Sequence, residues 1–195
     1  VVSTAVPQQA AFYPAVPSGT LIPTRSLGFD VGAHVYVLRL GPSRVGVGLE
    51  LLRATGKTTV PTPVPPPGGA SATPPAPQTR PDVTVTVRAL APQVSFNFGS
   101  ADGWSYVSAG IGRAGVQATT SAFGSGSGTT AATTPEGTLE SGALRSINFG
   151  GGARWFTNRH VAFSFDIRFH KVAGGGPVEV PATTLLAASA GMSFR

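Results

Sequence analysis

The chain has no cysteine, which excludes a disulfide framework and a thiolate metal site. Its charge is thin: Asp, Glu, Lys and Arg make up 11% of the residues, against about 25% in ordinary soluble domains. That is too little to coat the whole surface of a soluble fold. Nowhere do 18 apolar residues run uninterrupted, so no transmembrane helix is available. A spanning β-strand needs less, about ten residues with every second one apolar. There are three histidines and no His-x-x-x-His pair, so no metal site is expected. No Gly-x-Ser-x-Gly elbow is present, and no catalytic residue stands out. The net charge of +6 comes without a dense Lys/Arg cluster. Nucleic acid is therefore not an expected partner, while lipid phosphate suits scattered arginines. No cofactor is expected.

Apolar residues are plentiful at 41%, beside 26 glycines and 18 prolines. They recur with a period of two, which separates the chain from a disordered one. The first residue is Val1 rather than Met, which fits a processed chain whose signal peptide has gone. Residues 1–26 form an irregular N-terminal segment broken by Pro7, Pro14, Pro17 and Pro23.

From Leu27 the alternation is clear. Leu27, Phe29, Val31, Ala33, Val35 and Val37 share one face, and Gly28, Asp30, Gly32 and His34 the other. Gly41-Pro42-Ser43-Arg44 reads as a tight turn, followed by Val45, Val47, Leu49 and Leu51 in phase. Residues 56–82 contain nine prolines and read as a loop. The next strand, about Val83 to Phe98, has Val83, Val85 and Val87 outward, then Val94, Phe96 and Phe98. That change of phase predicts a bulge around Leu90-Ala91-Pro92. After a turn at Ser100–Gly103 comes a strand from Trp104 to about Val116. A Gly/Ser/Thr/Ala loop follows at 118–142, then a strand through Ile147, Phe149 and Trp155. Past a turn at Thr157–His160, Val161, Phe163, Phe165, Ile167 and Phe169 alternate with small and charged residues. The last strand runs from about Thr183 to Phe194.

Connections alternate short and long, as in an up-and-down antiparallel transmembrane β-barrel with short periplasmic turns and long extracellular loops. Residues 27–195 supply seven strands. Because single-chain bacterial barrels have even strand counts, eight strands are expected. The eighth is sought near Gln8–Val16, unless the N-terminus is truncated. Glycine-rich polar faces and aromatics near the short turns place the apolar face in lipid. The interface aromatics are Tyr36, Trp104, Tyr106, Trp155 and Phe156, with Phe98 beside them.

Strand phase then assigns the charges. Asp30, Glu50, Arg88, Arg154, Asp166 and Arg168, with His34 and His170, are expected to form an ion-pair network plugging the lumen. Arg53, Arg113 and Arg145 fall on the outward phase, each about ten residues from its short turn. They form either snorkelling cations or a belt for anionic outer-leaflet lipid phosphate. Loops 56–82 and 118–142 are the candidate contacts for protein partners.

The segments Gly28-Phe29-Asp30-Val31-Gly32, Ile147–Phe156 and Asn158–Arg168, with the closing Ala188–Phe194, resemble small bacterial outer-membrane barrels of the OmpA-transmembrane type. The resemblance covers about 27–195. It implies a bacterial outer-membrane location and a structural or interaction role, and carries over no catalytic residue. Members usually end on an aromatic residue, whereas Phe194 is followed here by Arg195. Three alternatives remain: a narrow channel, a lipid-modifying enzyme using Ser108, Ser146 or Ser164 with His34 or His170, and a soluble ligand-binding barrel.

Overall fold

The period-two runs become long strands because alternation lets one face of each strand meet the interior while the other points away. The computed structural model describes residues 23–58, 82–99, 103–121, 123–125, 132–134, 136–177 and 180–194. The strands are β1 (Leu27–Leu40), β2 (Ser43–Thr58), β3 (Val83–Gly99), β4 (Gly103–Thr120), the short β5 (Phe123–Ser125), β6 (Ala132–Thr134) and β7 (Gly137–Glu140), then β8 (Leu144–Phe156), β9 (Val161–Val172) and β10 (Thr183–Phe194). Eight of them form one antiparallel sheet in the order β1-β2-β3-β4-β8-β9-β10, with β7 also on β4, while β5 pairs with β6. The fold is all-β and up-and-down, and the sheet curls into a barrel-like trough. The candidate strand at Gln8–Val16 lies outside the described residues.

β7 and β8 lie on the same edge of β4. Residues 117–120 of β4 pair with β7, and residues 103–114 with β8. Ser141 spans the interruption: its N–H donates to the Val116 carbonyl at 2.9 Å, and its Oγ accepts from the Val116 N–H at 2.9 Å.

The short turns follow from local chemistry. Gly41 has φ +60° and Pro42 fixes its own φ near −65°, the combination a two-residue II′ hairpin needs. Between β8 and β9 the Asn158 Oδ1 accepts from the N–H groups of His160 and Val161, both at 2.9 Å, closing an Asx turn.

The expected bulge in β3 is not there. Residues 83, 85, 87, 89, 91, 93, 95 and 97 are all buried, so the strand keeps one phase from end to end. The register shift lies in β1 instead, between Tyr36 and Leu38. In β3 the polarity of the two faces changes and the backbone does not. Near the long loops Val83, Val85 and Val87 point inward at 0% exposure, beside Leu52, Val116, Val172 and Leu185. Nearer the short turns the inward residues are Gln93, Ser95 and Asn97, and Val94, Phe96 and Phe98 are exposed.

The same inversion recurs around the sheet. Outward residues near the long loops are Thr55, Thr84, Thr86, Gln117, Thr119 and Thr138; Thr55 pairs with Thr86 and Thr119 with Thr138 by hydroxyl hydrogen bonds of 3.1 and 3.3 Å. Below them the outward face is an unbroken apolar band, including Val47, Leu49, Leu51, Ile111, Phe149, Phe165 and Ile167. On β9 the apolar series runs from Val161 to Phe169. Eight residue steps at ~3.3 Å give about 26 Å of strand, or about 20 Å of height at a ~40° tilt.

Candidate functional site

Charge gathers inside the short-turn half. β2 and β9 are not neighbours in the sheet, yet both turn their even residues inward, so its curl brings Glu50 and Arg168 together. The Arg168 Nε lies 3.0 Å from Glu50 Oε2, and Nη2 lies 3.2 Å from Asp166 Oδ2. Nη1 donates to the Gln93 Oε1 at 2.9 Å. A planar guanidinium with five donors can serve two carboxylates and an amide at once. Arg168, Glu50 and Asp166 are 3%, 4% and 7% exposed. Burial that deep is tolerable only because the charges satisfy one another.

Neutral partners finish the cluster. The Tyr106 hydroxyl donates to Asp166 Oδ2 at 2.7 Å, and the Asn148 amide donates to Glu50 Oε2 at 3.3 Å. His170 Nε2 stands 3.6 Å from Glu50 Oε1, too far for a hydrogen bond. Glycine makes room: a Cβ on Gly152 would lie 2.9 Å from the Tyr106 hydroxyl, and one on Gly110 would lie 2.6 Å from Asn148 Oδ1. Toward the short turns Arg154 donates to the Tyr36 hydroxyl at 3.4 Å and lies over the Tyr106 ring at 4.8 Å. Arg44 lies over Trp104 at 5.6 Å, and Trp104 meets Tyr36 and Phe156 edge-on at 5.5 and 5.6 Å.

The structure places Glu50, Asp166, Arg168 and His170 buried inside, with Asp30, His34 and Arg154 half-buried on the inward phase. Arg88 is corrected: it is exposed on the outer face, directly opposite Arg53 in register. The mistaken phase of β3 had put it inside. Arg44 occupies the interior in its stead, and sequence reasoning missed it together with Gln93, Tyr106 and Asn148. Arg44 shares the parity of Glu50, and Asn148 that of Ser146, so both were legible. Gln93 was legible as well, since reading Val94, Phe96 and Phe98 as outward puts it inward; the supposed phase shift misplaced only the first half of β3.

Four of the five interface aromatics also need correction. Tyr36, Trp104, Tyr106 and Phe156 pack inward, because each falls on its strand's inward parity; Trp155 points outward at 57% exposure. Phe98, Phe163 and Phe194 are the other exposed aromatics near that end. The Ser108 and Ser146 hydroxyls and both His170 nitrogens are buried without a hydrogen-bond partner among the described residues, so no Ser–His pair forms there.

Arg53, Arg113 and Arg145 are exposed on the outward face, as the strand phase predicts, and Arg88 joins them. Arg53 faces Arg88 across β2 and β3, and Arg113 faces Arg145 across β4 and β8. Lys171 continues the line on β9. On these five strands the apolar outward series ends in a base.

No protein-family model and no curated protein sequence matches the chain. Among solved structures it is similar to Ail, the attachment invasion locus protein of Yersinia pestis, crystallised with the heparin analogue sucrose octasulfate. The match has a TM-score of 0.53 at 9% identity and covers 99% of this chain and 92% of that one. At that identity the likeness shows the fold, an eight-stranded barrel of the outer-membrane type.

Proposed function

We propose that this chain is an integral protein of the outer membrane of a Gram-negative bacterium, with a plugged lumen and a structural or interaction role rather than an enzymatic one. The observation that carries this reading is the inversion of polarity along the strands. An exposed band of Val, Leu, Ile and Phe, about 20 Å tall, wraps a polar, charged interior, the arrangement a bilayer requires and water penalises. Beyond the band the faces exchange roles, as a segment emerging into water would need.

The Glu50–Arg168–Asp166 cluster crosses the interior from β2 to β9 and supports a closed lumen over a conducting one. Short turns then face the periplasm. The segments read as loops 56–82 and 118–142 would contact partners; residues 59–81 lie outside the described residues, and 118–142 is not simply a loop, since it carries the end of β4 with β5, β6 and β7. Ail, named for attachment and bound to a sulfated sugar, is a fold-level parallel for contact at the cell surface.

Fractionation of native cells tests the location, with outer-membrane material run on gels with and without boiling. Enrichment there with a heat-dependent mobility shift is expected; a soluble protein with no shift overturns the reading. In planar bilayers no steady conductance is expected, and defined unitary steps would replace the plugged barrel with a channel.

A further inference from the structure

A groove of about 490 Å³ lies on the outer face where the two polarities meet. Arg53, Arg88 and Arg113 line it, with Phe29, Leu51 and Leu90 on its apolar side. Its floor is Gly115, directly opposite Arg88, so the rung that carries Arg53 and Arg88 has no side chain at that point. Its wall is the interruption between β7 and β8 at Gly142 and Ala143. Glu140 is the one acid among the lining residues.

Arginines placed directly opposite one another repel, and cross-strand pairs of like charge destabilise a sheet. Here two such pairs stand side by side, Arg53 with Arg88 and Arg113 with Arg145. The second is displaced by two residues toward the short turns, in the sense that tilted strands need to keep a line level around a barrel. Two strand spacings of ~4.8 Å and two residue rises of ~3.3 Å put the pairs about 12 Å apart. Snorkelling would explain single cations at this height, but not two facing pairs beside an amphipathic groove.

We infer that this surface binds the headgroup of a lipid carrying two phosphates, one on each arginine pair. This rests on the membrane reading above. Guanidinium forks take phosphate oxygens bidentately and so cancel the repulsion within each pair. The acyl chains run down over Leu51, Leu90 and Phe29, and the dent at Gly115 admits the sugar-sized body between the phosphates.

The test is native mass spectrometry of the full folded chain in uncharged detergent with diphosphoryl lipid A, its monophosphoryl form and inorganic phosphate as probes. Retention of the diphosphoryl lipid should fall at least tenfold in R53Q/R88Q and again in R113Q/R145Q. It should persist in R39Q/R159Q, which removes equal charge at the other end, and drop several-fold for the monophosphoryl form. Thermal unfolding gives a second readout: R88Q should raise Tm in uncharged detergent and lower it once diphosphoryl lipid is added. Unchanged retention in both double variants, equal retention of both lipids, or saturation by inorganic phosphate alone overturns the inference. Outer-membrane fractionation is independent of all three, so failure here leaves the location standing.

Discussion

The two halves of the barrel use the same strands and opposite chemistry. In the long-loop half the interior is dry, with Leu52, Val83, Val85, Val87 and Leu185 at 0–1% exposure, and the exterior carries threonine and charge. In the short-turn half the interior is a charged network and the exterior is Val, Leu, Ile and Phe. Strand geometry is continuous between them, since β3 alternates without a break from Val83 to Phe98. The surroundings, and not the backbone, therefore choose which face is apolar. The arginines of β2, β3, β4 and β8 stand where the choice reverses.

Five single substitutions bear on this contrast. The largest effect is expected at Arg168. R168M strands Glu50 and Asp166 as buried carboxylates and should cost about 3–5 kcal/mol in urea unfolding. The compensating E50Q/D166N/R168M should regain part of that loss; an unaltered R168M would mean that the short-turn half does not depend on its ion pairs. In the dry half L52A should cost about 2–5 kcal/mol through a cavity.

On the exterior, A109R places a charge near mid-height in the apolar band and should cost about 2–4 kcal/mol in a bilayer. T86R, above the arginines, should stay within about 0.5 kcal/mol. Equal costs at both positions would dissolve the boundary drawn between the halves. Inside the charged network, Y106F removes the 2.7 Å hydrogen bond to Asp166. It should cost about 1.5–3 kcal/mol, the range for a bond to a charged group, read as a shift of the urea midpoint at constant slope.

Much of the fold was legible because membrane strands write their period into the sequence. Val161–Phe169 alternates so regularly that its strand, its turn and its inward Asp166 and Arg168 could be placed from parity alone. β3 misled for a physical reason. Its apolar residues pass from odd to even positions near Leu90, and a reader who expects one solvent on each face must infer a bulge. Two solvents along one strand produce the same text with no bulge, and Arg88 was assigned to the wrong face on that account. The aromatics misled differently: proximity to a turn says nothing about side, and parity puts Tyr36, Trp104, Tyr106 and Phe156 inside.

By itself, then, the sequence determined the seven long strands, their order, the short turns and most of the inward charges, because each depends on local alternation and on glycine, proline and asparagine chemistry; β5, β6 and β7 lie where it read a loop. Only the tertiary structure decided which carboxylate meets which guanidinium, and that β3 keeps one phase and so holds Arg88 on the outer face. It alone set Arg53 against Arg88 and Arg113 against Arg145. Those facts depend on register and on the curl of the sheet, which join residues as far apart as Glu50 and Arg168. No local pattern carries that information.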